Sequence, residues 1–117
     1  VEYELIAGMV HDTQFGPCVM FGLGGIFSEL HQDVVFAPAP LTAATAGKMI
    51  GRISGKKLLQ GYRGRKPLNL KIMADILVRL GDLAAACPDI EQIDINPLAV
   101  AGGRPLAVDA TIIRRSG

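Results

Sequence analysis

Apolar and polar residues alternate along residues 2–10, with Tyr3, Leu5, Ala7 and Met9 on one side and Glu2, Glu4, Ile6 and Gly8 on the other. A period of two is the mark of a strand with one buried face. The turn cluster Asp12-Thr13-Gln14-Phe15-Gly16-Pro17 follows, and residues 18–21 make a partner strand, so an antiparallel hairpin is predicted. Gly22-Leu23-Gly24-Gly25 reads as a loop, then comes a short segment around residues 26–30. A third short strand covers residues 34–37 and is ended by Pro38 and Pro40.

The period then lengthens. Ala46, Met49, Ile50 and Ile53 are spaced for one buried helical face, with Thr42 or Thr45 as the N-cap. Residues 56–59 form a helical turn closed by Gln60-Gly61-Tyr62-Arg63-Gly64. A helix is predicted from Asn69 to Ala86, its apolar stripe built from Met73, Ile76, Leu77, Leu80, Leu83 and Ala84. Lys71, Asp75 and Arg79 make an i,i+4 ladder on its other face, and Pro88 stops it. Strands, then helices, then a hairpin describe an α+β fold with helices packed on one face of a mostly antiparallel sheet.

The closing hairpin carries the most chemistry. Ile93/Ile95 and Leu106/Val108 alternate with Asp94/Asn96 and Ala107/Asp109, which predicts that the four aliphatic residues share the apolar face. Gly102-Gly103 is a two-residue turn signal, since both residues accept positive φ. If Ala101 faces Arg104 across that turn, Asn96 lies directly opposite Asp109. Opposed residues on one face have Cβ atoms roughly 5 Å apart. An amide oxygen and a carboxylate at that spacing suit a hard cation such as Mg²⁺ resting on substrate phosphates. Asp94 lies one diagonal step away. The same residues also suit a plain solvated sheet face. Pro97, which has no N–H to donate, implies an edge strand or a bulge, and a slip of one residue would send Asn96 and Asp109 to opposite faces.

Length and composition bound the rest. The 117 residues make one domain or part of one, half of them apolar but few aromatic, so the core is aliphatic. A net charge of +1, read as Lys/Arg and Asp/Glu interspersed, gives no basic stripe for nucleic acid and no polybasic run for a membrane surface. Apolar runs are shorter than the ~20 residues of a spanning helix, and nothing at the start resembles a signal peptide. Two cysteines far apart read as reduced thiols, hence a cytoplasmic setting. A strand pattern under way at Val1, without an initiator Met, suggests a piece of something longer.

Smaller signals remain. Gly22–Gly25 follows a strand and suits backbone N–H groups approaching an anion, yet it lacks both the Lys-Ser/Thr of a Walker loop and the third glycine of a dinucleotide fingerprint. Arg63 and Arg65, in a glycine-bounded loop, suit a phosphate or a carboxylate. Glu4, on the polar face of its strand, suits a nucleotide contact. His11 and His31 show no metal or dyad spacing and are read as surface residues, and the four methionines as core filler.

Taken in order, the stretch 2–25 (Glu-Tyr-Glu-Leu-Ile-Ala-Gly…Asp-Thr-Gln-Phe-Gly-Pro…Phe-Gly-Leu-Gly-Gly), Ala39-Pro40-Leu41-Thr42, Gly61-Tyr62-Arg63-Gly64 and Asp94-Ile95-Asn96-Pro97-Leu98 resemble the ATP-grasp domain of ADP-forming acyl-CoA synthetases. They look more distantly like the beta subunit of succinyl-CoA synthetase. The resemblance runs over nearly the whole chain and implies a C-terminal ATP-grasp subdomain as a single partial domain over residues 1–117. It implies the reaction acyl-CoA + ADP + phosphate ⇌ acid + CoA + ATP, through an acyl phosphate and a phosphohistidine. By the same resemblance Asn96 and Asp109 hold Mg²⁺ on the phosphates of ATP or ADP. Asp94 takes the place of a glutamate that steadies the phosphohistidine loop, with a shorter side chain, and is the catalytic candidate. Gly24 and Gly25 match a Gly-Gly loop followed by an acidic residue, here Glu29, at the nucleotide end of the site. Glu4 and Arg63 join them as nucleotide-binding candidates.

The nucleotide-hinge segment, the first lobe, the CoA-binding domain and the phosphohistidine are expected upstream or on another chain, which makes the nucleotide and that domain or subunit the partners. The isolated chain is accordingly predicted inactive, and an open face left by the missing lobe allows a homo-oligomer. Two other readings are a non-catalytic grasp-like module of a protein acetyltransferase and a fragment of a succinyl-CoA synthetase beta-type subunit. Acyl specificity and the choice of ATP or GTP are expected to be set outside these residues.

Overall fold

Strand β4 (Ile90–Ala101) runs through the middle of a six-stranded antiparallel sheet. The computed structural model describes residues 3–24, 33–61 and 64–115. Before β4 come β1 (Tyr3–Asp12), β2 (Gly16–Leu23) and β3 (Val34–Pro38). Helices α1 (Ala43–Arg52), α2 (Lys56–Leu59) and α3 (Leu70–Ala86) follow. After β4 come β5 (Arg104–Ala107) and β6 (Ala110–Arg114). The strand order is β3-β2-β1-β4-β5, with β6 also paired to β4.

One face of the sheet is dry. Leu5, Ala7 and Met9 of β1, Val19 and Phe21 of β2 and Leu98 and Val100 of β4 are buried with Met49 of α1 and Met73 and Leu77 of α3. Helix α3 lies on β1 and β2 and against α1, so these two helices share a layer. Side-chain caps begin the two longer helices. Thr42 Oγ1 accepts from the Thr45 N–H at 3.1 Å, and Asn69 Oδ1 accepts from the Ile72 N–H at 3.0 Å. Each such cap is worth about 1 kcal/mol.

The predicted hairpin register is present, since Ala101 faces Arg104 and, farther along, Ile95 faces Ala110. Pro97 marks no edge. It sits inside the sheet at a bulge where β1 advances from Leu5 to Ala7 while β4 goes from Leu98 back to Ile95. The extra residue absorbs the position that cannot donate. It also exchanges the faces, which overturns the expectation that Leu106 and Val108 join the apolar side. Leu106 pairs with Ala99, and the two aliphatic residues are 70% and 62% exposed.

Other expectations change as well. Gly22 and Leu23 belong to β2 rather than to a loop, and β6, absent from the sequence reading, prolongs the hairpin. Met20 is half-buried on the face away from the helices, and His11 is half-buried with Nδ1 2.7 Å from the Ile90 carbonyl oxygen. Among the described residues Asp33 is the buried charged one, its carboxylate accepting from the N–H groups of Ser54 (2.6 Å) and Gly55 (2.7 Å). That clamp ties the start of β3 to the α1–α2 connection. At the far end of the hairpin Asp89 accepts from Arg114 Nη2 at 2.8 Å, and this hydrogen bond first of all holds the carboxyl below its ordinary range. The segment around residues 26–30, together with Gly25, Glu29, His31, Tyr62 and Arg63, lies outside the described residues.

Gly8 shows how close β1 and β4 come, because a Cβ added there would sit 2.2 Å from the Ile93 carbonyl oxygen. Gly8→Ala is expected to lower the unfolding free energy by about 1–3 kcal/mol, the usual cost of overpacking. Urea unfolding followed by circular dichroism reads this directly; an unchanged midpoint would contradict the close approach.

Candidate functional site

The sheet face away from the helices carries the polar residues. Alternation places Glu4, Ile6, Gly8 and Val10 of β1 on it, opposite the core-facing Leu5, Ala7 and Met9. Pairing extends the face sideways in rows: Gly24, Glu4, Ala99 and Leu106 in one; Gly22 and Ile6 in the next; Met20, Gly8, Asp94 and Thr111 in a third. Asn96 and Asp109 complete the middle row at the bulge. There the Asn96 N–H donates to the Asp109 carbonyl oxygen at 3.2 Å, and the Val108 N–H donates to the Pro97 carbonyl oxygen at 3.1 Å. Glu4, the Asn96/Asp109 pair and Asp94 therefore occupy successive rows of one face, about 7 Å from row to row.

Both members of the pair are exposed, and Asp94 and Glu4 are half-buried. Asp109 Oδ1 accepts from the Ala110 N–H at 2.9 Å, which fixes the carboxylate against its own backbone and leaves its second oxygen for an outside partner. Among the described residues no three His, Cys, Asp or Glu side chains gather into a metal site by themselves. One carboxylate and one amide oxygen instead match a cation that brings most of its ligands with it, as Mg²⁺ does on phosphates.

Glycines pave the floor between these groups. A Cβ on Gly22 would meet the Asp33 carbonyl oxygen at 2.5 Å, and one on Gly24 would lie 3.3 Å from Glu4 Cβ. The absence of side chains lets a flat ligand approach the backbone. Two N–H groups of the glycine segment are closed to an anion, because they are engaged within the sheet. Leu23 N–H donates to Asp33 O at 3.2 Å and Gly24 N–H to Glu4 O at 2.9 Å. Of the nucleotide candidates, Glu4 and Gly24 thus lie side by side, while Gly25 and Arg63 lie outside the described residues. Asp33, which the sequence reading passed over, supports this end of the site through its clamp on Ser54 and Gly55. A lone acidic residue just before a strand gave no pattern by which to find it.

Cys18 is buried. Burial, with the Asp12 carboxylate adding to it, pushes its thiol above the ordinary value. Its alkylation by iodoacetamide at pH 8 is expected to run slower than that of an unfolded-chain cysteine and to climb as the pH rises further. A rate equal to the free thiol would contradict its placement.

An ATP-grasp domain model matches residues 1–113. The acetate–CoA ligase (ADP-forming) I beta subunit of Pyrococcus furiosus is 50% identical over 110 residues, covering 94% of this chain and 47% of that subunit. The 4-hydroxybutyrate–CoA ligase (ADP-forming) of Nitrosopumilus maritimus is 41% identical over 97 residues, 83% of this chain and 14% of that protein. Among solved structures, the acetyl-coenzyme A synthetase 1 of Ca. Korarchaeum cryptofilum in complex with coenzyme A and Mg-AMPPCP superposes with a TM-score of 0.90. It is 44% identical, over 97% of this chain and 53% of that one, and its phosphohistidine segment points towards the nucleotide binding site. The chain spans about half the length of the beta subunit it matches. No described helix is long and apolar enough to cross a membrane.

Proposed function

This chain belongs to the ATP-grasp domain family, and from that premise we propose that it is the nucleotide- and Mg²⁺-binding lobe of an ADP-forming acid–CoA ligase. The reaction is acyl-CoA + ADP + phosphate ⇌ acid + CoA + ATP, through an acyl phosphate and a phosphohistidine carried on a CoA-binding domain or subunit. The observation that carries this reading is the Asn96/Asp109 pair, joined beside the bulge by a backbone hydrogen bond on the sheet face that no described helix covers.

The Asp109 carboxylate and the Asn96 amide oxygen would hold the cation, which when bound offsets the charge of the phosphate oxygens. Asp109 arrives oriented, since its Oδ1 is already satisfied by the Ala110 N–H, so little freedom is lost on binding. Asn96 adds a neutral donor oxygen, keeping the local negative charge low where phosphates must come close. Glu4 and Gly24, one row away, border the nucleotide. Asp94 stands on the opposite flank beside the side-chain-free Gly8, a position from which its carboxylate would receive the phosphohistidine segment. The exposed Phe36 and Leu106 on the same face suit coverage by a ligand or a second lobe. Retention of the paired oxygen ligands speaks against a decayed regulatory module, which has no use for them.

The test uses the parent polypeptide. Asp109→Ala is expected to lower ATP formation from acetyl-CoA, ADP and phosphate by about 100-fold or more and to raise the Mg²⁺ concentration needed for half-maximal rate. The isolated chain is expected to show no turnover, since phosphoryl transfer works by positioning and half the contacts lie elsewhere. Full activity of the folded Asp109→Ala parent would sink the assignment.

A further inference from the structure

The charges of this chain are segregated along it, not interspersed as its net value suggests. Residues 34–74 hold eight of the 12 Lys and Arg and none of the 11 Asp and Glu. After β3, that stretch builds α1, α2 and the entry to α3, away from the polar sheet face. Lys48, Arg52, Lys56, Lys57, Lys66 and Lys71 are all exposed. Among the described residues none of the six is held in an ion pair, unlike Arg79 with Asp75 and Arg114 with Asp89.

These cations lie on the elements that enclose a cleft of about 260 Å³ between α1, α2 and the segment leading into α3. Its floor is the aliphatic core itself, where Ile50, Leu59 and Leu68 surface, and Leu70 stands exposed at the lip. Lys56 lines the cleft, and the other five cations are sequence neighbours of residues that line it. Gly47 and Gly51, one turn apart on α1, border it too, and a Cβ at either would meet nothing within 4 Å. Glycine inside a helix costs about 1 kcal/mol relative to Ala. Since packing within the chain does not require these two, they leave room for something outside it.

We propose that this cleft, set in a basic surface, docks an acidic amphipathic peptide segment, one that sets an aliphatic side chain on the floor and carboxylates against the surrounding cations. The other occupants fit less well. A bare phosphate or nucleic acid gains nothing from an aliphatic floor, and none of the described residues that line the cleft is aromatic. A membrane surface engages protruding apolar groups, whereas this floor is sunken. A protein segment matches both the charge and the concavity. The chain spans only 47% of the Pyrococcus beta subunit, so proteins of this kind carry ample further surface from which such a segment can come. The inference is independent of the nucleotide reading, because it involves the other layer of the fold.

Fluorescence anisotropy tests it on the folded chain, with a labelled 16-residue peptide of Glu residues bearing two Leu four positions apart. Controls are the same peptide with both Leu changed to Ser, polyglutamate of equal length, coenzyme A and phosphatidylserine-containing vesicles. Expected are a Leu-dependent affinity at least tenfold above polyglutamate and a tenfold or greater loss in Arg52→Glu/Lys56→Glu. Gly51→Leu, which fills the cleft, should weaken the Leu peptide at least fivefold and leave polyglutamate unchanged; Gly47→Leu provides the same test if Gly51→Leu melts early. Equal binding of the Ser peptide, indifference to cleft filling, or displacement by coenzyme A or by the vesicles would each overturn the proposal.

Discussion

Strand β4 must pair on both sides while carrying, at Pro97, a residue that cannot donate to a ladder. The structure meets that constraint with a bulge, three residues of β4 against two of β1. Much else depends on this local choice. It keeps Ile93 facing the helices on one side of the bulge and Leu98 and Val100 facing them on the other, so the core is continuous although the alternation is broken. It also leaves Asn96 and Asp109 outside that core, joined through their backbones at the point where the hairpin changes phase. Packing and chemistry thus share one irregularity.

The two faces of the sheet divide the labour. The helix side is aliphatic and closed, which holds the strands at fixed spacing. The other side is shallow, paved by Gly8, Gly22 and Gly24 and crossed by three successive polar rows. A rigid sheet is a better platform for metal and phosphate ligands than a loop, because neighbouring strands determine where each side chain stands. The Asp33 clamp and the Asp89–Arg114 pair pin the elements at the two ends of this platform.

Much of this was legible in the sequence because it rests on local periodicity and on turn chemistry. The stripes of β1 and α3, the Asn69 cap and the Gly102-Gly103 turn each declare themselves within a few residues. The register across the turn was legible as well, since two glycines admit only a short connection. What escaped depends on partners far along the chain. Pro97 signals a disturbance, but which face Leu106 and Val108 take follows from how β1 responds to the bulge. The N–H groups of Leu23 and Gly24 looked available to an anion until Asp33 and Glu4 were seen to accept from them. Met20 carries the same apolar signature whether it lies in the core or on the open face. The basic cluster around the α1–α2 cleft was hidden by averaging, a net charge of +1 concealing two opposite blocks.

The central claim is that the amide of Asn96 and the carboxylate of Asp109 converge on a phosphate-bound cation. Paramagnetic broadening by Mn²⁺·ADP, read residue by residue in the amide spectrum of the ¹⁵N-labelled chain, tests it most directly. Selective loss of the Asn96 side-chain amide and of the Asp109 and Ala110 backbone signals, with Gly51 across the fold untouched, is the predicted outcome. Broadening that spares Asn96 and Asp109, or that centres on another acidic group such as Asp12 or Asp82, would contradict the account.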